Sequence, residues 1–88
     1  MDIELRTIDC LSMNAKMVED KIAELPLGET GVVKFSLDLR HPNYVEIKKD
    51  DTGSTLYYYD MDVLVSSLRV TEGTDIRAWL KMAEEAIS

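Results

Sequence analysis

The chain has 88 residues, of which 45% are hydrophobic, and its 17 acidic and 10 basic residues give a formal net charge of −7. This length holds one domain with a modest core, and the apolar content is ordinary for a folded protein. The single cysteine, Cys10, excludes an internal disulfide and a cysteine-based zinc site. No apolar run reaches membrane-spanning length and no secretory leader is recognisable, so we expect one cytoplasmic domain over residues 1–88.

The first third of the chain predicts an amphipathic helix from about residue 8. Apolar residues recur there at alternate steps of three and four, the period of a helix packed on one side: Ile8, Leu11, Ala15, Val18, Ile22 and Leu25. Pro26 ends this helix, because proline disfavours helical geometry at the residue before it. Residues 1–5 are too short for an assignment, although Ile3 and Leu5 alternate as in a short strand.

A second apolar strip lies on the same helix. At about 100° per residue, Cys10, Met13 and Met17 fall together, away from the main stripe. The strip has two interpretations. It is either a widened core face or a contact strip for a second subunit or a partner protein, where flexible methionines adapt well.

A first strand is predicted over residues 33–39, after a loop that contains two glycines. Apolar and polar residues alternate there, and the apolar set is Val33, Phe35, Leu37 and Leu39. Residues 40–43 then turn the chain toward the next strand. Opposite charges favour a register that places Arg40 opposite Glu46. The same register places Asp38 opposite Lys48.

The centre of the chain predicts a β-hairpin over residues 44–61. Two runs rich in β-branched and aromatic residues flank the turn formers at residues 50–53. We expect a type I turn with Gly53 in the left-handed region, which pairs Asp50 with Ser54. By alternation, the predicted core face carries Val45, Ile47, Tyr57, Tyr59 and Met61. The predicted outer face carries Tyr44, Glu46, Lys48, Leu56, Tyr58 and Asp60.

The remaining residues predict one or two helices. Residues 62–70 fit either a short helix capped by Asp62 or a fourth strand, and we choose the helix. Thr74 or Asp75 caps the last helix, whose apolar stripe is Ile76, Trp79, Leu80, Ala83, Ala86 and Ile87. The predicted fold class is therefore two-layer α+β. An antiparallel meander of three or four strands is packed on one face by an N-terminal and a C-terminal helix, in the order α-β-β-β-(α)-α.

The sequence assembles no catalytic or metal-binding group. His41 is the only histidine, and neither Cys10 nor a serine can be placed beside it as a nucleophile. Asp60 and Asp62 lie two residues apart, but hard cations take more oxygen ligands and no third carboxylate is placed near them. We therefore expect a protein without enzymatic activity, metal or cofactor.

The leading functional hypothesis is a small acidic protein-binding module. Apolar residues are in surplus on the outer sheet face and on the first helix, and the predicted partner-binding residues are Tyr44, Glu46, Leu56, Tyr58, Asp60, Asp62, Cys10, Met13 and Met17. One specific form is an inhibitor of the kind that phages and mobile elements encode. Its carboxylates would mimic nucleic acid and block a basic surface of a nucleic-acid-handling complex.

Two further hypotheses come from other classes of protein. A structural homodimer would bury one of two sets of residues against its symmetry mate: Cys10, Met13 and Met17, or Leu56 and Tyr58. A single-strand nucleic-acid binder would use Lys34, Lys48 and Tyr58 on the outer face, where basic and aromatic residues interleave. The net charge of −7 opposes this last hypothesis.

Overall fold

Four antiparallel strands form one sheet, and two helices lie on one of its faces. The computed structural model of the chain describes residues 2–35 and 43–86, and within the first helix it describes the side chains from Ser12 onward. In chain order the elements are α1 (Asp2–Glu24), β1 (Thr30–Lys34), β2 (Asn43–Asp50), β3 (Gly53–Asp60), β4 (Val63–Val70) and α2 (Ile76–Ala86). The strands follow one another across the sheet in the order β1-β2-β3-β4. The predicted α+β fold is confirmed.

The first helix contains the predicted apolar stripe but begins earlier than the stripe indicated. It runs from Asp2, so the alternation of Ile3 and Leu5 does not mark a strand. Ala15 and Val18 are buried in the core. The stripe continues at Ile22 and Leu25, which are partly buried. Two members of the predicted stripe, Ile8 and Leu11, lie outside the described side chains, and Ile87 of the stripe predicted for the last helix lies outside the described residues.

Residues 63–70 form a strand, and the helix predicted for residues 62–70 is wrong. A two-residue turn, Met61-Asp62, joins β3 to β4, and both residues have positive φ, 52° and 65°. Positive φ at both central residues is typical of the type I′ turn, whose twist matches the flanking strands. Asp62 therefore belongs to a hairpin turn and does not cap a helix.

The hairpin between β2 and β3 turns over two residues, Asp51 and Thr52. Asp50 pairs with Gly53, so the predicted pairing of Asp50 with Ser54 is wrong by one residue. The backbone N–H and the hydroxyl of Thr52 donate to Asp50 Oδ1 at 2.9 and 2.8 Å, which closes the turn. Gly53 has a φ of 149°, and a Cβ on it would lie 2.8 Å from the carbonyl oxygen of Val70, so this position requires glycine.

Because this turn is one residue shorter than predicted, each side chain of β3 lies on the opposite face of the sheet from the one predicted. Leu56 lies opposite Ile47 and Tyr58 opposite Val45, and these four side chains are at most 1% exposed. The prediction that placed Leu56 and Tyr58 on the outer face is therefore wrong, because a slip of one residue turns every side chain of a strand to the other face. The same slip leaves three residues of the predicted core face outside the core: Tyr57, Tyr59 and Met61.

The register between β1 and β2 also differs from the charge-based prediction. Val32 lies opposite Glu46, and Thr30 lies opposite Lys48. The expected pairs of Glu46 with Arg40 and of Lys48 with Asp38 are therefore wrong, since β1 starts three residues earlier than predicted. Phe35 follows the end of β1, and its backbone N–H donates to the carbonyl oxygen of Asn43 at 3.1 Å. Residues 36–42, which include His41 and most of the predicted turn, lie outside the described part of the chain.

The core lies between the helices and the inner face of the sheet. Trp79 of α2 packs edge-on against Tyr58, with ring centroids 6.1 Å apart. The indole N–H of Trp79 donates to Ser66 Oγ at 3.0 Å, and the Asn43 side-chain amide donates to Tyr58 Oη at 3.2 Å. The polar tips of both buried aromatic residues therefore have partners. Among the described residues, the buried apolar ones are Ala15, Val18, Val33, Val45, Ile47, Leu56, Tyr58, Ile76, Trp79, Leu80 and Ala83.

Lys49 connects the sheet to the end of α1. Its Nζ donates to the carbonyl oxygen of Ile22 at 2.7 Å. That carbonyl is one of the last in the helix, where no internal donor is available. The ammonium group also lies at the negative end of the helix dipole. Lys49 therefore caps the helix from a neighbouring strand.

We expect Lys49→Met to lower the free energy of unfolding by about 1–2 kcal/mol, because it leaves the Ile22 carbonyl without a donor and removes the cation from the helix end. Lys34→Met is the matched control. It removes the same charge from an exposed position on the neighbouring strand, and we expect a change of less than about 0.5 kcal/mol. Urea denaturation of both variants measures the difference. Equal losses would show that the bond to Ile22 does not stabilise the helix end.

Candidate functional site

The face of the sheet that points away from the helices is the candidate site. Among the described elements, both helices pack against the opposite face. Side chains alternate along each strand, so the residues between the buried ones point outward. We call this surface the open face, and its residues are Thr30, Val32, Lys34, Tyr44, Glu46, Lys48, Thr55, Tyr57, Tyr59, Leu64, Ser67 and Arg69.

Three tyrosines from two adjacent strands lie together on the open face. Tyr44 and Tyr59 are directly opposite each other, and their rings stack with centroids 5.1 Å apart and planes 17° apart. Tyr57 lies two residues from Tyr59 on the same side of β3. Lys48 Nζ is 5.3 Å from the centroid of the Tyr57 ring, within the range of a cation–π interaction. These contacts produce a half-exposed aromatic surface with a cation at one end.

Asp62 fixes the orientation of Tyr44. The Tyr44 hydroxyl donates to Asp62 Oδ1 at 2.9 Å. This hydrogen bond raises the pKa of Tyr44, because the nearby carboxylate favours the protonated hydroxyl. Asp62 belongs to the turn between β3 and β4, so this turn is linked to the stacked tyrosine rings.

Arg69 braces the other end of the open face. Its guanidinium donates to both carboxylate oxygens of Asp50, at 3.0 and 2.9 Å, and to Thr55 Oγ1 at 2.9 Å. The hydrogen bond from Arg69, together with those from Thr52, holds the pKa of Asp50 well below its usual range. A bidentate pair of this kind fixes geometry even where solvent weakens its energy. The turn between β2 and β3 is thereby attached to β4.

Carboxylates do not dominate the open face. Lys34, Lys48 and Arg69 share it with Glu46, and the carboxylate of Asp50 at its margin neutralises Arg69. Most of the acidic side chains in the described residues lie on the helices and loops instead: Glu19, Asp20, Glu24, Glu29, Glu72, Asp75, Glu84 and Glu85.

The structure brings together some of the predicted partner-binding residues. Tyr44 and Glu46 lie on the open face, with Asp62 bound to Tyr44 at its margin. Asp60 lies opposite Asn43 at the end of β3, half-buried.

Leu56 and Tyr58 do not belong to the candidate site, because they fill the core. Tyr57 and Tyr59 take their places on the open face. Both were missed because three consecutive tyrosines give the same pattern in either register. The length of the turn distinguishes the two registers. The side chain of Asp50 closes a turn of two residues, and this length places Tyr57 and Tyr59 on the open face.

The predicted helix strip is a separate surface. Met13 and Met17 are 61% and 44% exposed on α1, which packs on the inner side of the sheet. Met17 also lines a groove of about 330 Å³ between α1 and β1, whose other lining residues are Asp20, Lys21, Glu24, Val32, Val33 and Lys34. The Cys10 side chain lies outside the described residues. The groove therefore meets the open face only at the edge formed by β1.

No protein-family model, curated protein or solved structure with which the chain was compared matches it. Neither of the two helices, over the residues that the structure describes, has the length and apolar content needed to cross a bilayer. Within the same residues, His, Cys, Asp and Glu side chains do not gather in any group of three that could hold a metal ion. The basis for a functional proposal is therefore the chemistry of the open face.

We expect Asp50→Asn to lower the free energy of unfolding at neutral pH and to matter less in acid. The folded pKa of Asp50 is lowered, so its stabilising effect is complete above the unfolded pKa of about 4 and is lost as the pH falls toward the folded value. Asp51→Asn is the matched control, because it removes the same charge from the same turn but no bond to Arg69. Urea denaturation at neutral and acid pH compares the variants. An Asp50→Asn deficit that stays constant with pH would contradict this explanation.

Proposed function

We propose that this protein is a non-enzymatic binding module that docks on another protein through its open face. The observation that carries the proposal is the group formed by Tyr44, Tyr57 and Tyr59, half-exposed on a face that no described helix covers. Tyrosine is well suited to interfaces, because it offers a large apolar area and a hydrogen-bonding hydroxyl on a side chain with few rotamers.

The surroundings of the tyrosines favour binding energetically. Asp62 holds Tyr44, the Tyr59 ring stacks on Tyr44, and Lys48 lies over Tyr57. Side chains that are already ordered lose less conformational entropy when a partner binds. Val32 and Leu64, 43% and 51% exposed at the two sides of the sheet, extend the apolar area on either side of the tyrosines.

The net charge of −7 supports a basic partner. Long-range attraction speeds the encounter of oppositely charged surfaces, while the close contact depends on packing. An inhibitor of a nucleic-acid-handling complex fits this division, with the acidic residues of α1 and of the loops steering the chain and the tyrosines making the contact. The bases of the open face argue against that face itself acting as the nucleic-acid mimic.

We expect the immobilised chain to retain a protein from a nuclease-treated lysate of its source cells, and the double variant Tyr57→Ser/Tyr59→Ser to lose it. The matched control is Leu27→Ser/Met82→Ser, which removes two apolar side chains that are 66% and 68% exposed away from the open face. This control should retain the same protein, and circular dichroism should show that both variants fold. Retention by the tyrosine variant would rule out docking through the open face.

Single-strand nucleic-acid binding is a second candidate function. The specific observation in its favour is that Lys34, Lys48 and Arg69 share a sheet face with the tyrosines. Bases can stack on aromatic rings while cations contact phosphates, and this combination is tolerant of sequence. Tyr57 and Tyr59 supply the rings in place of the buried Tyr58.

Fluorescence anisotropy with a labelled oligothymidylate tests the second candidate. If the open face binds single strands, the affinity will fall with salt, and Lys48→Met will reduce the slope of log K against log salt by about 0.7, the value for one phosphate contact. Lys81→Met, on α2, should leave the slope unchanged. An absence of binding at low salt eliminates this candidate and leaves the docking proposal in place.

A further inference from the structure

The two edges of the sheet are covered to different extents. On β1, the inner residues Gly31 and Val33 are buried because α1 crosses them, and a Cβ on Gly31 would meet Lys21 Cε and Leu25 Cδ1 at 3.0 Å. The apolar residues of β4 that pack against the core are all only partly buried: Val65, Leu68 and Val70. The core is therefore incomplete along β4.

Part of β4 also offers backbone groups to a further strand. In an antiparallel ladder, alternate residues bond to the neighbouring strand. The closing pair Asp50–Gly53 fixes the alternation on β3, so Ser66, Leu68 and Val70 bond to β3. The N–H and C=O groups of Ser67 and Arg69 then point to the free edge. Such an edge is a template for strand addition.

The composition of β4 favours a second copy of the chain as the added strand. Within Val63–Val70 the only charged residue is Arg69, and its guanidinium is bound to Asp50 of the same chain. Natural sheets protect their edges with lysine, proline or bulges. Within the described part of the chain, the protection of β4 is a register shift near Leu64, and residues 66–70 beyond it pair regularly with β3.

We infer that two copies of this chain pair through β4, antiparallel and around a twofold axis at Leu68. This register places Ser67 opposite Arg69 of the second copy, so both outward-pointing residues exchange backbone hydrogen bonds. No two like charges lie directly opposite each other. On the side of the sheet that faces the helices, Leu68 lies opposite Leu68 of the second copy. Val70 lies opposite Ser66 of the second copy. The added strand covers the partly buried residues of β4, which explains why β4 is the edge that pairs.

This dimer is independent of the proposed docking function. Edge pairing adds strands in the plane of the sheet and leaves the open face accessible. Each copy carries a net charge of −7, so the two copies repel each other and added salt strengthens the dimer. Contact with a basic partner responds to salt in the opposite direction.

Sedimentation velocity of the whole chain from micromolar to millimolar concentration tests the inference. We expect a reversible dimer whose Kd falls as salt is added. Ser67→Pro removes an N–H that points to the free edge, a position that tolerates proline, and should raise Kd by about tenfold or more. The matched control is Val32→Pro, whose N–H points to the free edge of β1 by the same alternation, and it should leave Kd unchanged.

A second variant, Ser67→Lys, is needed because proline could unfold β4. It keeps the backbone N–H and weakens the dimer by placing a cation opposite Arg69 of the second copy. A chain that stays monomeric over the whole range overturns the inference. So does a dimer that both Ser67 variants leave unchanged, or one that Val32→Pro weakens equally. Tyr57→Ser/Tyr59→Ser should dimerise like the unmodified chain, so the dimer and the docking function can fail separately.

Discussion

The length of one turn determines the chemistry of both faces of this sheet. Because Asp50 closes the turn at Thr52, Leu56 and Tyr58 point into the core and Tyr57 and Tyr59 point out. A turn longer by one residue would exchange them, since side chains alternate along a strand. Arg69 binds the carboxylate of Asp50 and so attaches this turn to the next strand. The aromatic surface therefore depends on a few hydrogen bonds at the far end of the hairpin.

The helical layer explains why the other face stays open among the described elements. Four strands about 4.8 Å apart make a sheet roughly 19 Å wide, and two helices of about 10 Å diameter lying side by side cover that width once. α1 covers β1 and β2, whereas α2 packs against β4. Lys49 joins the end of α1 to the sheet through the carbonyl of Ile22. The apolar residues of β4 nevertheless remain only partly buried at this edge of the sheet.

Much of the fold, but little of the site, could be predicted from the sequence. The apolar stripe of α2 is unambiguous because Trp79, Leu80 and Ala83 fit only the helical period, and all three are buried. The hairpin faces are ambiguous, because residues 57–59 are all tyrosine and residues 50–53 satisfy two turn types. Residues 63–70 fit a helix and a strand equally. Residues 63–70 form a strand because the turn Met61-Asp62 directs them back along β3. This turn lacks the glycine or asparagine that normally marks positive φ in a sequence.

The order of the strands has a consequence for how the chain acquires its structure. Each strand pairs with its neighbour in sequence, and such local contacts close early because short loops lose little entropy. The helices come from opposite ends of the described chain, and the hydrogen bond from Arg77 to Ser12 spans 65 residues. During folding the meander can therefore form before α2 docks. Until α2 docks, the sheet presents Leu56 and Tyr58 to solvent, and in that interval the chain is open to aggregation or to capture by a chaperone.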